Sequence, residues 1–364
     1  MSALEQGGGI VDPLAMLEPG LVVDAGEQDW DAYRAGLGLL EEAELADGQS
    51  AVSASELNLP SVAVGDLTDE RTVRRTLTAT TAGTYRFDTE QPAGFRLAVE
   101  PATAILDEGQ SVTVSLSLAR TDAAFDDSRT GAIRWEGPKG IRGALPVAAT
   151  AVAASSPPRV SAPTGEGSTT VPVRLSDGVA VESQRSAVTP LTPVRPTGAD
   201  TDAATASGAA GTVTDTPIAV PRGIMAGRLA LRSVAPGVSA RIELYRLNDL
   251  AEPVMSWSAD AEGIIDVPSP PAGRYVLRTV IESGTGDVLV EQAWAAADDG
   301  DDDGGAEGPA LRVDTSDLGA GPASERSVGV TWSGVSRTER YVAAVRFGDD
   351  GPLTLVALDP APTG

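Results

Sequence analysis

The chain has 364 residues, of which 52 are acidic and 27 are basic, and its formal net charge is −25 at pH 7. It contains neither cysteine nor histidine, which excludes disulfides, thiolate nucleophiles, imidazole metal sites and every Ser-His-Asp or Cys-His catalytic arrangement within this chain. An acidic chain without clustered Lys and Arg is also a poor partner for nucleic acid and for anionic membranes. Since 41% of the residues are apolar, the chain should fold, and self-repulsion should keep it monomeric.

The N-terminal residues carry no visible export signal. The sequence begins MSALEQGGGIVD, which has neither a basic start nor an apolar stretch, so we expect no signal peptide. The longest mainly apolar run, 147–154, is too short to cross a bilayer, so we expect no membrane span.

The hydrophobic period changes near residue 57. Before that point, one short helix is predicted by residues that recur at spacings of three and four, namely Asp29, Trp30, Tyr33, Leu37 and Leu40. After it, apolar residues alternate with polar ones, most cleanly in 111–118, which reads SVTVSLSL. Such alternation is typical of a strand with one buried face, so that face must meet another sheet.

The spacing of the predicted strands defines the fold class. About seven short strands separated by turn residues are predicted in 57–150, which is the pattern of an immunoglobulin-like sandwich. Further strands in 217–294 fit a second antiparallel sandwich or jelly roll, and about four more in 311–357 are too few for a separate core. The predicted fold class is therefore all-β, with tandem immunoglobulin-like or fibronectin III-like and jelly-roll-type β-sandwiches after a short N-terminal segment that contains one helix.

These patterns divide the chain into predicted domains. Residues 1–50 form the N-terminal segment and 51–155 the first sandwich. Residues 212–296 form an accessory sandwich, and linkers are predicted at 184–215 and 297–309, where small polar or acidic residues predominate.

Two separate segments resemble each other in spacing. Residues 160–178 and 313–334 both contain a strand pattern that closes with Ser-x-Gly or Ser-Gly. Because neither half has enough strands for a core, we expect 158–195 and 310–360 to form one discontinuous sandwich, interrupted by 212–296.

The N-terminal segment carries a family resemblance. Residues 7–33 read GGGIVDPLAMLEPGLVVDAGEQDWDAY and resemble the end of the catalytic domain of subtilisin-like serine proteases, which closes with Gly-x-Gly-x-Val-x-Pro and then Pro-Gly-Leu-Val-Tyr-Asp. The matching positions are Gly7, Gly9, Val11, Pro13, Pro19, Gly20, Leu21, Val22 and Asp24. Val23 stands where the family has Tyr. The resemblance implies that 1–50 is the remnant of a protease-domain C-terminus.

The next block resembles the fibronectin type III-like domain that follows the protease unit in that family. The matching segments occur in the same order along the chain and are 57–62, 71–73, 84–85, 92–94, Pro101, 109–110 and 133–135. Residues 212–296 resemble the accessory β-domains of secreted bacterial subtilases through Val220-Pro221, 242–245 and 271–275.

The resemblance implies a non-catalytic C-terminal accessory region of a secreted subtilisin-like serine peptidase. Such a region would stabilise or position the protease domain, or hold it near a protein substrate, outside the cell or in the cell envelope. The Gly-Thr-Ser-Met-Ala signature of the nucleophile is absent, and without histidine no serine has a general base, so this chain should not be an enzyme. No catalytic or cofactor-binding residue is predicted. The alternatives are a free-standing adhesion or carbohydrate-binding sandwich and a hydrolase that uses carboxylates.

One acidic run contains a candidate calcium site. Asp299, Asp301, Asp303 and Gly304 match the first half of a calcium loop, which places carboxylate oxygens at alternate positions. The twelfth position is Ala310 instead of a bidentate Glu, and a solvated acidic linker is the alternative. We predict Asp299, Asp301 and Asp303 as the calcium ligands, if this run binds the ion.

The five tryptophans could form a sugar-stacking platform, but their positions favour a role in the core. Four of them lie in predicted strands, where a sandwich core needs a large aromatic residue, and these are Trp135, Trp257, Trp294 and Trp332.

Two further patterns favour a structural role. Lys139 could serve a Ser-Lys pair, but the segment 137–140, GPKG, has the form of a hairpin turn. Acid pairs such as Glu41-Glu42 and Asp126-Asp127 have no spacing that indicates a glycosidase cleft.

Overall fold

A computed structural model describes residues 13, 15–37, 40, 44–195, 204–234, 236–259, 263–298 and 308–361, with the backbone alone at 232–234 and 255–259. Among the described residues, strands account for 57% and helices for 5%, which confirms the predicted all-β class with one helix. The chain divides into two compact units. Unit 1 comprises Met1–Ser155, Leu175–Val179 and Pro322–Ser324, and unit 2 comprises Ser156–Arg174, Ala180–Gly321 and Glu325–Gly364.

The described residues of unit 1 form one α-helix and ten strands. Helix α1 spans Glu27–Gly36. The strands are β1 Leu21–Val22, β2 Val62–Leu67, β3 Glu70–Ala79, β4 Gly83–Glu90, β5 Phe95–Glu100, β6 Thr103–Leu106, β7 Ser111–Arg120, β8 Ser128–Glu136, β9 Arg142–Ala151 and β10 Ala154–Ser155.

Two sheets enclose the core of unit 1. The first has the order β1-β3-β7-β5 and the second the order β2-β9-β8-β4-β6, in which β2 runs parallel to β9. Strand β7 buries Val114, Leu116 and Leu118, while Thr113, Ser115 and Ser117, which alternate with them, are exposed or half-buried. The alternation predicted for this strand is therefore confirmed, and its buried face meets Phe87 and Trp135 of the second sheet in one core.

The remaining strands lie wholly or mainly in unit 2. They are β11 Arg159–Pro163, β12 Gly167–Leu175, β13 Ser183–Ser186, β14 Thr189–Pro190, β15 Thr192–Pro193, β16 Ala206–Ala209, β17 Val213–Val220, β18 Ile224–Val234, β19 Ser239–Arg246, β20 Met255–Ala259, β21 Ile264–Pro268, β22 Gly273–Ser283, β23 Thr285–Asp298, β24 Ala310–Val313, β25 Ser324–Ser333, β26 Tyr341–Phe347 and β27 Leu353–Asp359.

The sheets of unit 2 join segments that are far apart in the sequence. Strand β11 runs parallel to β27, so that Arg159 lies beside Leu355. Strands β13 and β14 pair with β26, and β12 lies beside β25 in the order β12-β25-β24. The segments 159–190 and 310–359 therefore share two sheets.

Strand β23 takes part in two cores. It lies in the sheet order β11-β27-β26-β13-β23-β18-β21, while a separate sheet has the order β17-β22-β19-β20. Val288 and Val290 of β23 belong to the core shared with this separate sheet. Ala293 and Ala295 belong to a second core with strands β26 and β27. Because alternate residues of a strand point to opposite faces, one strand supplies both cores.

The stretch 184–215, expected to be a linker, is paired with neighbouring strands where the structure describes it. Thr205 Oγ1 donates to Val194 O at 2.7 Å and accepts from Val290 N at 2.8 Å. Composition does not reveal such pairing, because backbone groups bond to a sheet edge whatever side chains they carry. Residues 196–203 lie outside the described part.

Three tryptophans lie against glycines of neighbouring strands. The pairs are Trp135 with Gly143, Trp294 with Gly227 and Trp332 with Gly167. A Cβ on the glycine would lie 2.1, 2.2 and 2.7 Å from the respective ring, so only glycine leaves room for it. Trp135 and Trp332 are 7% and 4% exposed, which confirms their predicted place in the core, while Trp294 is half-buried. The side chain of Trp257 lies outside the described part.

Candidate functional site

The predicted calcium ligands are not among the described residues. Asp299, Asp301 and Asp303 lie outside the described residues, so calcium binding stays a prediction. In the part of the chain that the structure describes, no group of three or more Asp, Glu, His or Cys is placed to hold a metal ion.

No helix in the described part of the chain is long and apolar enough to cross a membrane. Lys139 is exposed in the turn between β8 and β9.

Residues 15–52 are here called the strap, and their described part includes β1 and α1. Strand β1 of the strap pairs antiparallel with β3, so that Leu21 is opposite Ala79 and Val22 is opposite Thr78. Leu21 is buried in the core of the sandwich. The strap therefore supplies both an edge strand and a core residue to unit 1.

Side chains of the sandwich bind the strap backbone on both sides of β1. Tyr85 Oη donates to Gly20 O at 2.9 Å, and burial raises the pKa of Tyr85, which keeps this donor protonated. Asn58 Nδ2 donates to Asp24 O at 2.8 Å and is itself bonded to the backbone of β3. Gly20 has φ +72°, and a Cβ there would lie 2.5 Å from Ile141 Cγ2, so this anchor point requires glycine.

Arg75 fixes the segment that carries Asn58. Its buried guanidinium donates to Leu59 O at 3.0 Å, Ser61 O at 2.8 Å and Arg74 O at 2.7 Å. Burial lowers the pKa of Arg75 to about 10, so the side chain is still charged at neutral pH. The three carbonyl oxygens compensate for the lost hydration of this cation and hold the segment in place.

Helix α1 turns its small residues toward the neighbouring backbone and its large residues toward solvent. Ala32 is buried, Val52 N donates to Ala32 O at 3.0 Å, and a Cβ on Gly36 would lie 2.0 Å from Val52 O. Trp30 and Leu37 are 44% and 52% exposed. A surface helix normally buries its large apolar side chains, so this orientation is reversed.

The exposed Trp30 and Leu37 share one face of the helix with the half-buried Tyr33. Trp30, Tyr33 and Leu37 follow one another at spacings of three and four, and we call them the α1 apolar face. The Trp30 and Tyr33 rings make an edge contact with centroids 6.0 Å apart and planes at 72°. At the start of the helix, Gly26 N donates to Asp29 Oδ2 at 2.9 Å.

The strap carries more than half of the exposed large hydrophobic side chains in the described part of the chain. Five of those nine residues lie in it, namely Met16, Leu17, Val22, Trp30 and Leu37. The strap is also acidic, with Arg34 as its one base and carboxylates at Glu18, Asp24, Glu27, Asp29, Asp31, Glu41, Glu42, Glu44 and Asp47. Scattered exposed hydrophobic residues are ordinary, whereas these five are concentrated in one short segment of the sequence.

Helical spacing alone does not show that the α1 apolar face is exposed. The spacing of Trp30, Tyr33 and Leu37 predicted the helix, which the structure confirms. The small residues Ala32 and Gly36 on the other side were the available signal, since only small residues allow a helix to approach a neighbouring backbone so closely.

A buried charge cluster lies in unit 2. Arg228 is fully buried, with Nη2 2.8 Å from Asp359 Oδ2 and Nε 3.4 Å from Asp266 Oδ1. Arg159 Nη1 lies 3.0 Å from Asp266 Oδ2, and Arg340 Nε lies 3.5 Å from Asp359 Oδ1. Burial raises the pKa of Asp266, because desolvation outweighs the attraction of Arg228 and Arg159. The opposite charges pair with one another across β11, β18, β21 and β27, which indicates a structural role.

The sandwich of unit 1 belongs to a known class of domain. Residues 56–149 match the family model of the fibronectin type-III domain. This range includes strands β2 to β8 and most of β9, so β1 and α1 of the strap precede it.

The curated relatives are subtilisin-like proteases. Subtilisin-like protease SBT3.3 of Arabidopsis thaliana is 35% identical over 141 residues, which are 36% of this chain and 18% of that protein. Subtilisin-like protease SBT3.6 of the same plant is 30% identical over 141 residues, with the same coverage. The chain thus spans less than a fifth of the length of these relatives. The similarity lies in the fibronectin type-III region and not in the catalytic domain, which confirms the resemblance to the C-terminal region of a subtilisin-like protease.

Solved structures give a weaker comparison. The secreted serine protease VesC from Vibrio cholerae is matched over 65% of this chain and 49% of that chain, at 9% identity and a TM-score of 0.21. A TM-score this low does not indicate a shared fold.

Proposed function

We propose that this chain is a non-catalytic accessory region that stabilises and positions the catalytic domain of a subtilisin-like serine peptidase, outside the cell or in the cell envelope. The relatives supply the association with a protease, because the matched region is the fibronectin type-III region of proteins named as subtilisin-like proteases. The observation that carries the positioning role is strand β1, through which the strap is built into the sandwich.

A paired strand is a stiff connection. The strap backbone is hydrogen-bonded to β3 and is anchored at Gly20 by Tyr85 and at Asp24 by Asn58. A domain attached to the strap would therefore hold a defined orientation relative to the sandwich. A flexible Gly-Ser linker would not impose one, because such a linker behaves as a random coil.

Peptide hydrolysis would belong to the partner domain. The whole chain lacks histidine, so no serine in it can transfer its proton to an imidazole base. The contribution of this chain is binding energy, which would stabilise the folded partner in the way any ligand of the native state does.

The test is the thermal inactivation of a subtilisin-like catalytic domain from the source organism, followed by hydrolysis of a chromogenic peptide. The half-life of activity should be longer with this chain present than without it, and the chain alone should show no hydrolysis. The double variant Asn58→Ala, Tyr85→Phe removes both strap anchors and should lose most of the protection. Equal half-lives with and without the wild-type chain would contradict the proposal.

A further inference from the structure

We infer that the α1 apolar face docks the catalytic domain, and that the receiving surface on that domain is an apolar groove with a rim of Arg and Lys. This inference rests on the proposed function and specifies the contact surface and the chemistry of the surface that receives it. Three properties of the strap lead to it, namely the fixed orientation of α1, the preorganised aromatic pair and the surrounding charge.

The orientation of α1 is fixed by close packing. Ala32 and Gly36 lie against the backbone at Val52, where a Cβ on Gly36 would already be 2.0 Å from Val52 O. Rotating the helix to bury Trp30 would place an indole where not even a methyl group fits. The large side chains therefore stay exposed until another molecule covers them.

The exposed residues have the form of a binding anchor. Trp30 and Tyr33 support each other through their edge contact, and each aromatic side chain has few rotatable bonds. Little conformational entropy is therefore lost when a partner covers them. Tryptophan and tyrosine are also enriched among the residues that contribute most to interface affinity.

The charge around this face selects among the partners that could cover it. Helix α1 itself carries the carboxylates of Glu27, Asp29 and Asp31 and one guanidinium, that of Arg34, which lies 3.2 Å from the Asp31 carboxylate. A second copy of this chain would bring two equally acidic surfaces together, and anionic lipid would be repelled in the same way. A protein groove with basic residues at its rim is complementary to both the apolar and the acidic part.

A matched control lies on the other sheet of unit 1. Ile105 is 79% exposed on β6, which is the last strand in the order β2-β9-β8-β4-β6. It is a large exposed hydrophobic residue without an aromatic neighbour on its own strand. Ile105→Ala therefore removes exposed apolar area but leaves the α1 apolar face intact.

The experiment measures binding of the full chain to a purified subtilisin-like catalytic domain from the source organism, with its nucleophilic serine replaced by alanine. Surface plasmon resonance gives the affinity of the wild type, of the double variant Trp30→Ala, Leu37→Ala, and of Ile105→Ala. We expect the double variant to bind at least about thirtyfold more weakly, as for a buried aromatic anchor, and Ile105→Ala to bind like the wild type. Raising NaCl from about 50 to about 500 mM should weaken wild-type binding, because salt screens the rim charges. Circular dichroism should show that both variants remain folded.

The outcomes separate this inference from the proposed function. If the wild type binds and the double variant binds equally well, the α1 apolar face is not the docking surface, although the proposed function stands. If binding is lost with the double variant but does not depend on salt, the basic rim is refuted. If the wild type does not bind at all, both proposals fail. If sedimentation equilibrium shows a dimer that the double variant abolishes, a second copy covers the face and the inference is overturned.

Discussion

Units 1 and 2 are built from similar strands but differ in how their partners are distributed along the chain. In unit 1, strands β2 to β9 follow one another and pair within a continuous stretch. In unit 2, β11 pairs with β27, which places Arg159 beside Leu355. The fibronectin type-III match covers 56–149 alone, so the continuous unit is also the one that sequence comparison recognises. Pairing between distant segments leaves a much weaker signal in the sequence.

Both units nevertheless contain the same type of contact, in which a buried Trp ring packs against a Gly of a neighbouring strand. Trp135 lies over Gly143 across the β8–β9 hairpin of unit 1, and Trp332 of β25 lies over Gly167 of β12 in unit 2. The local physics is the same in both units, since a glycine makes room for a buried indole. What differs is whether the two members of the pair are near each other in the sequence.

Deletion of residues 205–305 should have the largest effect, and it tests whether the distant segments of unit 2 form one sandwich. If 158–195 and 310–360 form one sandwich, the shortened chain with a Gly-Ser linker should still unfold cooperatively in calorimetry. Its unit 2 should be less stable by roughly 5 kcal/mol, because the core of β26 and β27 loses the residues of β18 and β23 that cover it. Loss of all cooperative unfolding in 158–364 would count against an inserted domain.

Removing the buried indoles tests whether the Trp–Gly contacts contribute equally to the stability of the two units. Trp135→Ala and Trp332→Ala should each cost about 3 to 5 kcal/mol, as expected for deletion of a buried aromatic side chain. Hydrogen exchange followed by mass spectrometry would locate the loss in the unit that carries the substitution. A cost below about 1 kcal/mol would mean that the ring is not packed in a core.

Filling the space under one indole gives a smaller effect. In Gly143→Ala the new Cβ would lie 2.1 Å from the Trp135 ring, so the ring must move, at a cost of about 1 to 3 kcal/mol. Gly65→Ala in β2 is the control, because a Cβ there meets no atom within 4 Å and should change stability by less than about 0.5 kcal/mol. Equal urea midpoints for the two variants would contradict the close packing.

Asn58→Ala tests the connection between the strap and the sandwich. The substitution removes the bonds to Asp24 O and to the Thr76 backbone, and should cost about 1 to 2 kcal/mol. Hydrogen exchange should accelerate in 19–25 and at the Thr76 amide but not in β7, since the strap and Thr76 are the segments bonded to Asn58. Uniform acceleration throughout unit 1 would show that Asn58 supports the whole sandwich.

Trp30→Ala should have the smallest effect on stability. Trp30 is 44% exposed, so its removal should change the free energy of unfolding by less than about 0.5 kcal/mol, in contrast with Trp135. Urea denaturation measures both variants under the same conditions. A cost similar to that of Trp135→Ala would show that the α1 apolar face already packs within this chain.

Several features followed from the sequence alone. The alternation in 111–118 specified which face of β7 is buried, because side chains of a strand point to opposite sides in turn. The helical spacing near Trp30 specified α1, and the lack of histidine excluded a serine protease triad in this chain. Each of these depends on residue identity or on neighbours a few positions away.

The tertiary structure decided what those elements contact. Spacing puts Trp30, Tyr33 and Leu37 on one side of α1, but the backbone at Val52 determines that this side faces solvent. In the same way, the charges of Arg228 and Asp359 are visible in the sequence, while their 2.8 Å contact depends on strands that meet only after the chain has folded. Periodicity reports which residues share a face, and packing between distant segments determines what each face meets.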